Sequence, residues 1–166
     1  MNIRLLDISE IEEFFPYYSL SMQQDFSEYT EKTTSLFVNT IYNKEYLLKN
    51  ISSKQLNVFV LVEDNKYLAY AVVNKIFGGV VFCTWLAVDI SMRGKGIGSQ
   101  MLAHIGNYYK ELGAHKMMLW CIEKNIPFYE KCGFVVVGKV PQSYFGTDDY
   151  FLYKILQEAK EENYLK

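Results

Sequence analysis

The sequence has few cysteines, histidines and prolines, and it contains no long apolar run. Its three cysteines, Cys83, Cys121 and Cys132, are odd in number and scattered, which favours reduced thiols over a disulfide framework. The Cys and His residues show no metal-ligand spacing, so we predict no metal site. No run approaches the roughly 20 apolar residues of a membrane span, and the N-terminus lacks the apolar region of a signal peptide. We therefore expect a cytoplasmic protein with no membrane contact.

An excess of charge of one sign is also absent. The net charge is −2, which offers no basic surface for nucleic acid. Internal repeats, linkers and low-complexity segments are missing too. A chain of 166 residues of which 50% are hydrophobic is long enough to bury one core. We therefore predict a single domain over residues 1–166.

The first third of the chain predicts one strand and two helices. Asn2–Leu6 has the pattern of a short strand. Ser9 is placed to cap a helix, with an acidic side chain three residues later, and Pro16 is expected to kink or end that helix early. Residues 20–34 are polar and without period, which indicates a loop, and Ser35–Lys49 is predicted as a second helix.

The strand signals that follow come in pairs. Leu56–Glu63 and Tyr67–Lys75 are rich in β-formers and are separated by residues that favour turns, which predicts an antiparallel hairpin. Phe134–Val140 and Asp149–Ile155 are predicted as two final strands. Between these pairs a different arrangement is expected.

The middle of the chain predicts a strand–helix–strand unit. Val80–Val88 is strand-like, Ile97–Leu112 repeats apolar residues at helical spacing, and Lys116–Ile122 is a further strand. Such a crossover joins parallel strands. Together with the hairpins, the pattern predicts a mixed α/β fold with a mostly antiparallel central sheet flanked by helices.

A glycine-rich turn, Arg93–Gly98, joins the strand of this unit to its helix. The first N–H groups of a helix have no intrahelical partner and lie at the positive end of the helix dipole. Glycines let such a backbone approach a ligand closely, so the turn predicts a phosphate site. The dinucleotide fingerprint is excluded because Ser99 and Met101 stand where its third glycine is required, and no glycine is followed by the Lys-Ser or Lys-Thr of a P-loop.

The spacing Arg93-x-x-Gly96-x-Gly98 resembles the acetyl-CoA loop of the GNAT superfamily, the acyl-CoA-dependent N-acyltransferases. A second resemblance is Asn125 followed by a segment from Phe128 to Phe134 that reads Phe-Tyr-x-x-x-Gly-Phe. The interval from Asn125 to its Tyr is shorter than is usual in the family by nearly one helical turn of about 3.6 residues. The two motifs span roughly residues 80–138.

The resemblance implies acetyl-CoA as acyl donor, a three-layer GNAT-like fold and a splayed parallel strand pair that holds the pantetheine arm. It implies a cofactor-binding core at 80–138 and acceptor-site elements at 8–50 and 138–155. The residues implied to bind the cofactor are Leu86, Ala87, Val88, Arg93, Gly94, Lys95, Gly96, Ile97, Gly98, Ser99 and Asn125. The glycines would offer backbone N–H groups to the diphosphate, and Arg93 and Lys95 would add charge.

Three side chains near the second motif have alternative interpretations. Tyr129 is implied by the resemblance to be the general acid that protonates the departing thiolate, although a core-packing role is also open. Asn125 is interpreted either as a cofactor contact or as a helix cap. Cys132 is interpreted as a packing residue rather than a nucleophile, because neither His104 nor His115 is patterned to serve as its base.

The general base has no clear candidate. The start of the strand before the loop, Gly78–Val81, carries no carboxylate. Acidic side chains elsewhere could act directly or through water, and the sequence does not choose among them. They are Glu28, Glu31, Glu123, Asp148 and Asp149.

The function implied is an N-acetyltransferase that moves the acetyl group of acetyl-CoA to a primary amine by direct attack in a ternary complex. The acceptor is a small, polyamine-like amine or the amine of a protein N-terminus or lysine. The alternative is a non-catalytic acyl-CoA-binding sensor or structural module. A homodimer is compatible with the resemblance, and no nucleic acid partner is expected.

Overall fold

The computed structural model describes residues 2–165, which form a seven-stranded sheet between two layers of helices. The strands are β1 (Asn2–Leu5), β2 (Leu56–Glu63), β3 (Lys66–Asn74), β4 (Val80–Val88), β5 (Lys116–Cys121), β6 (Val135–Val140) and β7 (Asp149–Ile155). The helices are α1 (Ile11–Gln24), α2 (Glu31–Leu36), α3 (Lys44–Ser52), α4 (Ile97–Glu111), α5 (Ile126–Lys131) and α6 (Glu161–Tyr164). Among the described residues, no helix combines the length and the apolar character needed to cross a membrane.

The sheet has the order β1-β2-β3-β4-β5-β7-β6. Strands β4 and β5 are parallel, and every other neighbouring pair is antiparallel. The predicted mixed, mostly antiparallel sheet is therefore confirmed, and so are both hairpins and the parallel crossover through α4.

Alternation along the strands sends side chains into two separate cores. Phe59 and Leu61 of β2 belong to the core beneath α4 and α5, whereas Val58 and Val60 belong to the core beneath α1, α2 and α3. Successive side chains of a strand point to opposite faces, so one strand supplies both layers. The three-layer architecture follows from this alternation.

The start and course of α1 differ from the sequence prediction. Asp7, not Ser9, caps the first turn: it accepts a hydrogen bond from the Ser9 N–H, and Glu10 completes the capping box. Helix α1 continues through Pro16 because Pro16 lies on the exposed face, where the carbonyl it leaves unpaired can bind water. The buried face of Phe14 and its neighbours holds the helix together.

The segment after α1 is more helical than predicted, and it is interrupted at a different place. Helix α1 extends into the expected 20–34 loop, and α2 begins there too, with the Thr30 side chain as its cap. The expected helix over 35–49 is divided by a π-helical turn at Phe37–Ile41 and by Asn43, whose side chain accepts from the Tyr46 N–H at 2.9 Å and starts α3. An asparagine cap stabilises a new start more than continuation of the old helix.

Candidate active site

Strands β4 and β5 diverge and leave a cavity between them. Their parallel pairing covers only Val80–Phe82 and Lys116–Met118, whereas β4 stays paired with β3 as far as Val88. A cavity of about 350 Å³ opens on the diverging side, lined by β4 residues from Phe82 to Leu86 and by the end of β5. A flexible arm can enter such a gap between strands because the facing backbone groups are not occupied by a ladder.

A β-bulge at Thr84 shapes the same stretch of β4. Val72 of β3 faces Trp85, but Val73 faces Cys83, so Thr84 is an extra residue. Cys83 therefore lies in the core beneath α4, and Trp85 lies in the core beneath α1. The Thr84 hydroxyl is 3.1 Å from the Asn74 side-chain oxygen, and both residues line the cavity. Bulges of this kind re-aim side chains beside functional sites.

The glycine loop presents open backbone at the N-terminus of α4. Gly94 and Gly96 have φ of +75° and +77°, which favours glycine, and a Cβ at either position would meet no atom closer than 3.9 Å. Gly96 directly precedes α4, and no side chain caps the helix. The first N–H groups of a 15-residue helix are thus available to an anion.

Gly98 has a different reason to be glycine. A Cβ there would lie 2.9 Å from Cζ of Phe128 and 3.7 Å from Cγ2 of Val88. The absence of a side chain lets the first turn of α4 pack against α5 and the end of β4. This contact joins the loop to the element that carries Tyr129.

The charged side chains of the loop are engaged differently. The Arg93 Nε donates to the Val88 carbonyl at 2.9 Å, and the guanidinium forms an ion pair with Asp25 at the end of α1. Lys95 is exposed, with its Nζ 3.6 Å from the Met92 sulfur. Of the two predicted cations, Lys95 is therefore the one whose charge has no carboxylate partner among the described residues.

Tyr129 lines the cavity. Its side chain is only 9% exposed, and burial, assisted by the neighbouring thiols and Glu28, raises the pKa of its phenol far above the usual range. The hydroxyl makes no hydrogen bond to any residue that the structure describes, so its proton is free to meet a ligand. Asn125 lines the same cavity, and it also occupies the N-cap position of α5, where its side chain makes no capping hydrogen bond.

Cys132 contacts the glycine loop and is not among the residues that line the cavity. Its Sγ donates to the Ser99 hydroxyl at 3.3 Å, and the side chain packs against the core beneath α4. The predicted residues thus fall into three groups. Leu86, Asn125 and Tyr129 line the cavity, and Arg93–Ser99 lie at the start of α4 outside it. Ala87 and Val88 also lie outside the lining, Ala87 buried in the core beneath α1 and Val88 packed against the core beneath α4.

Two of the five carboxylates that the sequence left open line the cavity. Asp149, at the start of β7, is only 5% exposed and accepts from the Thr147 hydroxyl at 3.1 Å. Glu28, between α1 and α2, has its pKa raised by burial, against the lowering effects of a backbone hydrogen bond and of the charge of Lys124, and with a smaller raising contribution from Asp149. Asp148 pairs with Lys139 at the surface at 2.7 Å, and the remaining two are exposed. No local pattern marks Glu28, so sequence reasoning could not single it out.

Aromatic rings form the rest of the cavity wall. The ring of Trp85 meets those of Phe26, Tyr42 and Phe37 at centroid distances of 4.9, 5.6 and 5.7 Å. Phe145, from the β6–β7 loop, reaches the ring of Phe37 at 4.8 Å. The Trp85 Nε1 is buried and has no hydrogen-bond partner among the described atoms.

The raised pKa of Glu28 makes a prediction for stability. A carboxyl whose pKa is higher in the folded than in the unfolded state favours folding below the unfolded value of about 4.5 and disfavours it as the pH rises through the folded value. Glu28→Gln is therefore expected to raise the Tm at pH 7 and to lose that advantage near pH 4. Differential scanning calorimetry at both pH values measures this. Glu31→Gln, on the exposed face of α2, is the control, and equal Tm values for Glu28→Gln and the parent chain at pH 7 would contradict the prediction.

Comparisons with known proteins agree with this geometry. The model of the acetyltransferase (GNAT) family matches residues 11–134. A glucosamine 6-phosphate N-acetyltransferase of Arabidopsis thaliana is 38% identical over 48 residues, which cover 29% of this chain and 32% of that protein. The matched segments span about a third of the length of the curated relatives.

Solved structures resemble the chain over nearly its whole length. The PaiA N-acetyltransferase of Thermoplasma acidophilum, in complex with coenzyme A, has a TM-score of 0.76 at 20% identity and covers 93% of this chain and 99% of that one. The acetyltransferase yncA of Salmonella typhimurium, solved with acetyl-CoA, has a TM-score of 0.74 at 21% identity and covers 96% of each chain. These similarities confirm the predicted fold. Because the family model covers most of the chain, the protein belongs to the GNAT family of acetyltransferases.

Proposed function

We propose that this chain is an acetyl-CoA-dependent N-acetyltransferase that transfers the acetyl group directly to a primary amine in a ternary complex. One observation carries the proposal. The open glycine loop, the end of β4 and α5 are joined by the contacts of Gly98 with Val88 and Phe128, and Tyr129 follows directly at the cavity. An anion site, a gap between strands and a proton donor therefore lie next to one another, in that order, along one continuous surface.

The donor fits this surface from its diphosphate to its thioester. Backbone N–H groups at Gly94, Gly96 and the first turn of α4 bind the diphosphate, and Lys95 adds a charge. The pantetheine arm lies beside Leu86–Val88, where β4 has no partner on the β5 side. This arrangement brings the thioester to the cavity that Tyr129 and Asn125 line.

Transfer forms a C–N bond and breaks the C–S bond. The neutral amine attacks the thioester carbonyl, and the sulfur leaves as a thiolate that takes the proton of Tyr129. The acylated nitrogen then sheds its extra proton, and the tyrosinate takes up one proton, so that the amide, the thiol and the neutral phenol remain. A buried phenol keeps its proton at neutral pH, so it is loaded as a donor.

The direct test measures release of coenzyme A. The protein is incubated with acetyl-CoA, with and without a panel of primary amines, and free thiol is followed with a colorimetric reagent. We expect thiol release that depends on the amine. Calorimetry that shows coenzyme A binding, together with no release for any amine, would instead assign the chain as a non-catalytic acyl-CoA-binding module.

A further inference from the structure

The cavity beside Tyr129 is electrostatically one-sided. Glu28 and Asp149 line it, and among its described lining residues there is no Lys, Arg or His. Outside the lining, the charge of Lys124 acts on Glu28 while its Nζ donates to the Ser27 hydroxyl at 2.7 Å, and the Arg93 guanidinium pairs with Asp25. A further negative charge brought into this space would add to those of Glu28 and Asp149 with no cation in the described lining to pair with, which is disfavoured.

The aromatic residues of the cavity lining suit a ligand with a hydrocarbon body. The rings around Trp85 meet edge-to-face, with interplanar angles of 79° for Phe26 and 81° for Tyr42, so part of each aromatic surface is left for a ligand. Aromatic faces attract ammonium groups as well as apolar groups. The cavity therefore combines attraction for a cation, contact area for an apolar chain and repulsion of anions.

The structure assigns an acceptor class to this site, and the assignment rests on the function proposed above. We propose that the acceptor is an amine with an aliphatic or aromatic hydrocarbon body and no anionic group. Its ammonium binds at Glu28 and Asp149 before it loses a proton, and its body lies against the aromatic wall. Phosphorylated amino sugars and free amino acids are excluded because each brings an anion to the two carboxylates.

Phe145 is the residue of the wall that most directly determines specificity. It adopts a left-handed backbone with φ of +58° and remains 52% exposed, yet its ring packs against those of Phe37 and Tyr29, which line the same cavity. A bulky side chain in this conformation is strained, and such strain is typical of functional sites. The β6–β7 loop thus holds an apolar ring over the acceptor space at a cost to its own backbone.

The test uses matched amines and a readout that does not need turnover. The two tryptophans of the chain, Trp85 and Trp120, both line the cavity, so intrinsic fluorescence reports its occupancy. With coenzyme A present, 2-phenylethylamine and 1,5-diaminopentane are expected to change the fluorescence. Phenylalanine is expected to bind at least about 100-fold more weakly than phenylalanine amide, which has the same shape without the charge. Glucosamine and glucosamine 6-phosphate form a second such pair.

Variants link the effect to the named residues. Combining Glu28→Gln with Asp149→Asn is expected to reduce the discrimination between phenylalanine amide and phenylalanine to about tenfold or less. Phe145→Gly, which fits the positive φ without strain, is expected to weaken 2-phenylethylamine binding about tenfold, whereas Phe77→Ala, at a ring 90% exposed elsewhere, leaves it unchanged.

The outcomes separate the two proposals. Equal binding of the charged and uncharged member of each pair would overturn the acceptor class while amine-dependent thiol release still supported the enzyme. Selective binding of the anion-free amines without any thiol release would support the acceptor class and overturn the catalytic proposal. Fluorescence that no amine changes would overturn the acceptor class.

Discussion

Tyr129→Phe is expected to lower kcat by roughly 10²–10⁴-fold, the range associated with loss of a general acid. Tyr129 lines the cavity and is 9% exposed, and its hydroxyl is the part of the side chain that differs in the variant. Phenylalanine keeps the ring that packs against Phe134 at 5.7 Å, so the fold is expected to survive. Steady-state kinetics with acetyl-CoA and an active amine measure the effect, and calorimetry with coenzyme A is expected to show nearly unchanged affinity.

A second tyrosine supplies the control for this substitution. Tyr109 is also buried in the same core, at 1% exposed against 9% for Tyr129, and its hydroxyl accepts from the Asn57 side chain at 2.9 Å outside the cavity. Tyr109→Phe removes a buried hydroxyl without touching the proposed chemistry, so its kcat is expected to match that of the parent chain. An unaltered kcat in Tyr129→Phe would remove Tyr129 from the mechanism and leave it as a packing residue.

Gly96→Glu is expected to weaken coenzyme A binding by at least about 100-fold, because it places bulk and a negative charge where the diphosphate meets the helix. The position has φ of +77°, and the nearest atom to an added Cβ is the Gln100 side-chain nitrogen at 3.9 Å. The new side chain therefore has room in the free protein and obstructs only a ligand at the loop. Isothermal titration with coenzyme A is the measurement.

Two variants separate this obstruction from backbone strain. Gly96→Ala carries the strain of a positive φ without the charge and is expected to lose far less affinity. Gly78→Glu carries both strain and charge, at φ of +56° in an open turn between β3 and β4, and is expected to bind coenzyme A normally. Retained affinity in Gly96→Glu would contradict the assignment of the loop.

The strand–turn–helix unit with the glycine loop could be predicted because the residue patterns that specify it are local in sequence. A strand, a glycine turn and a helix follow one another within Val80–Glu111. The β-forming residues, the glycines and the helical spacing of apolar residues each indicate the local backbone conformation. The close packing of Gly98 on Phe128 was not predicted, because Phe128 lies thirty residues later and no sequence pattern indicates that the two residues meet. The packing gives Gly98 a structural reason to be glycine, and its role in binding the cofactor stays a prediction.

The helices and side chains that form the rest of the cavity could not be predicted to the same depth, because their arrangement depends on tertiary contacts. Pro16 suggested an early helix end, but burial of the opposite face outweighed one lost hydrogen bond. The π-helical turn at Phe37–Ile41 has no sequence signature, and it places Phe37 in the cavity wall. Glu28 and Asp149 are far apart in sequence, and only the fold brings both to one space.

The extra residue in β4 has a consequence for how the chain can change. Removing Thr84 would restore a regular pleat, and the side chains on one side of it would then exchange inward and outward directions. Val81 and Cys83 would leave the layer under α4, or Trp85 would enter it. Surface loops tolerate insertions and deletions, whereas in this strand the loss of one residue would change which side chains enter each core.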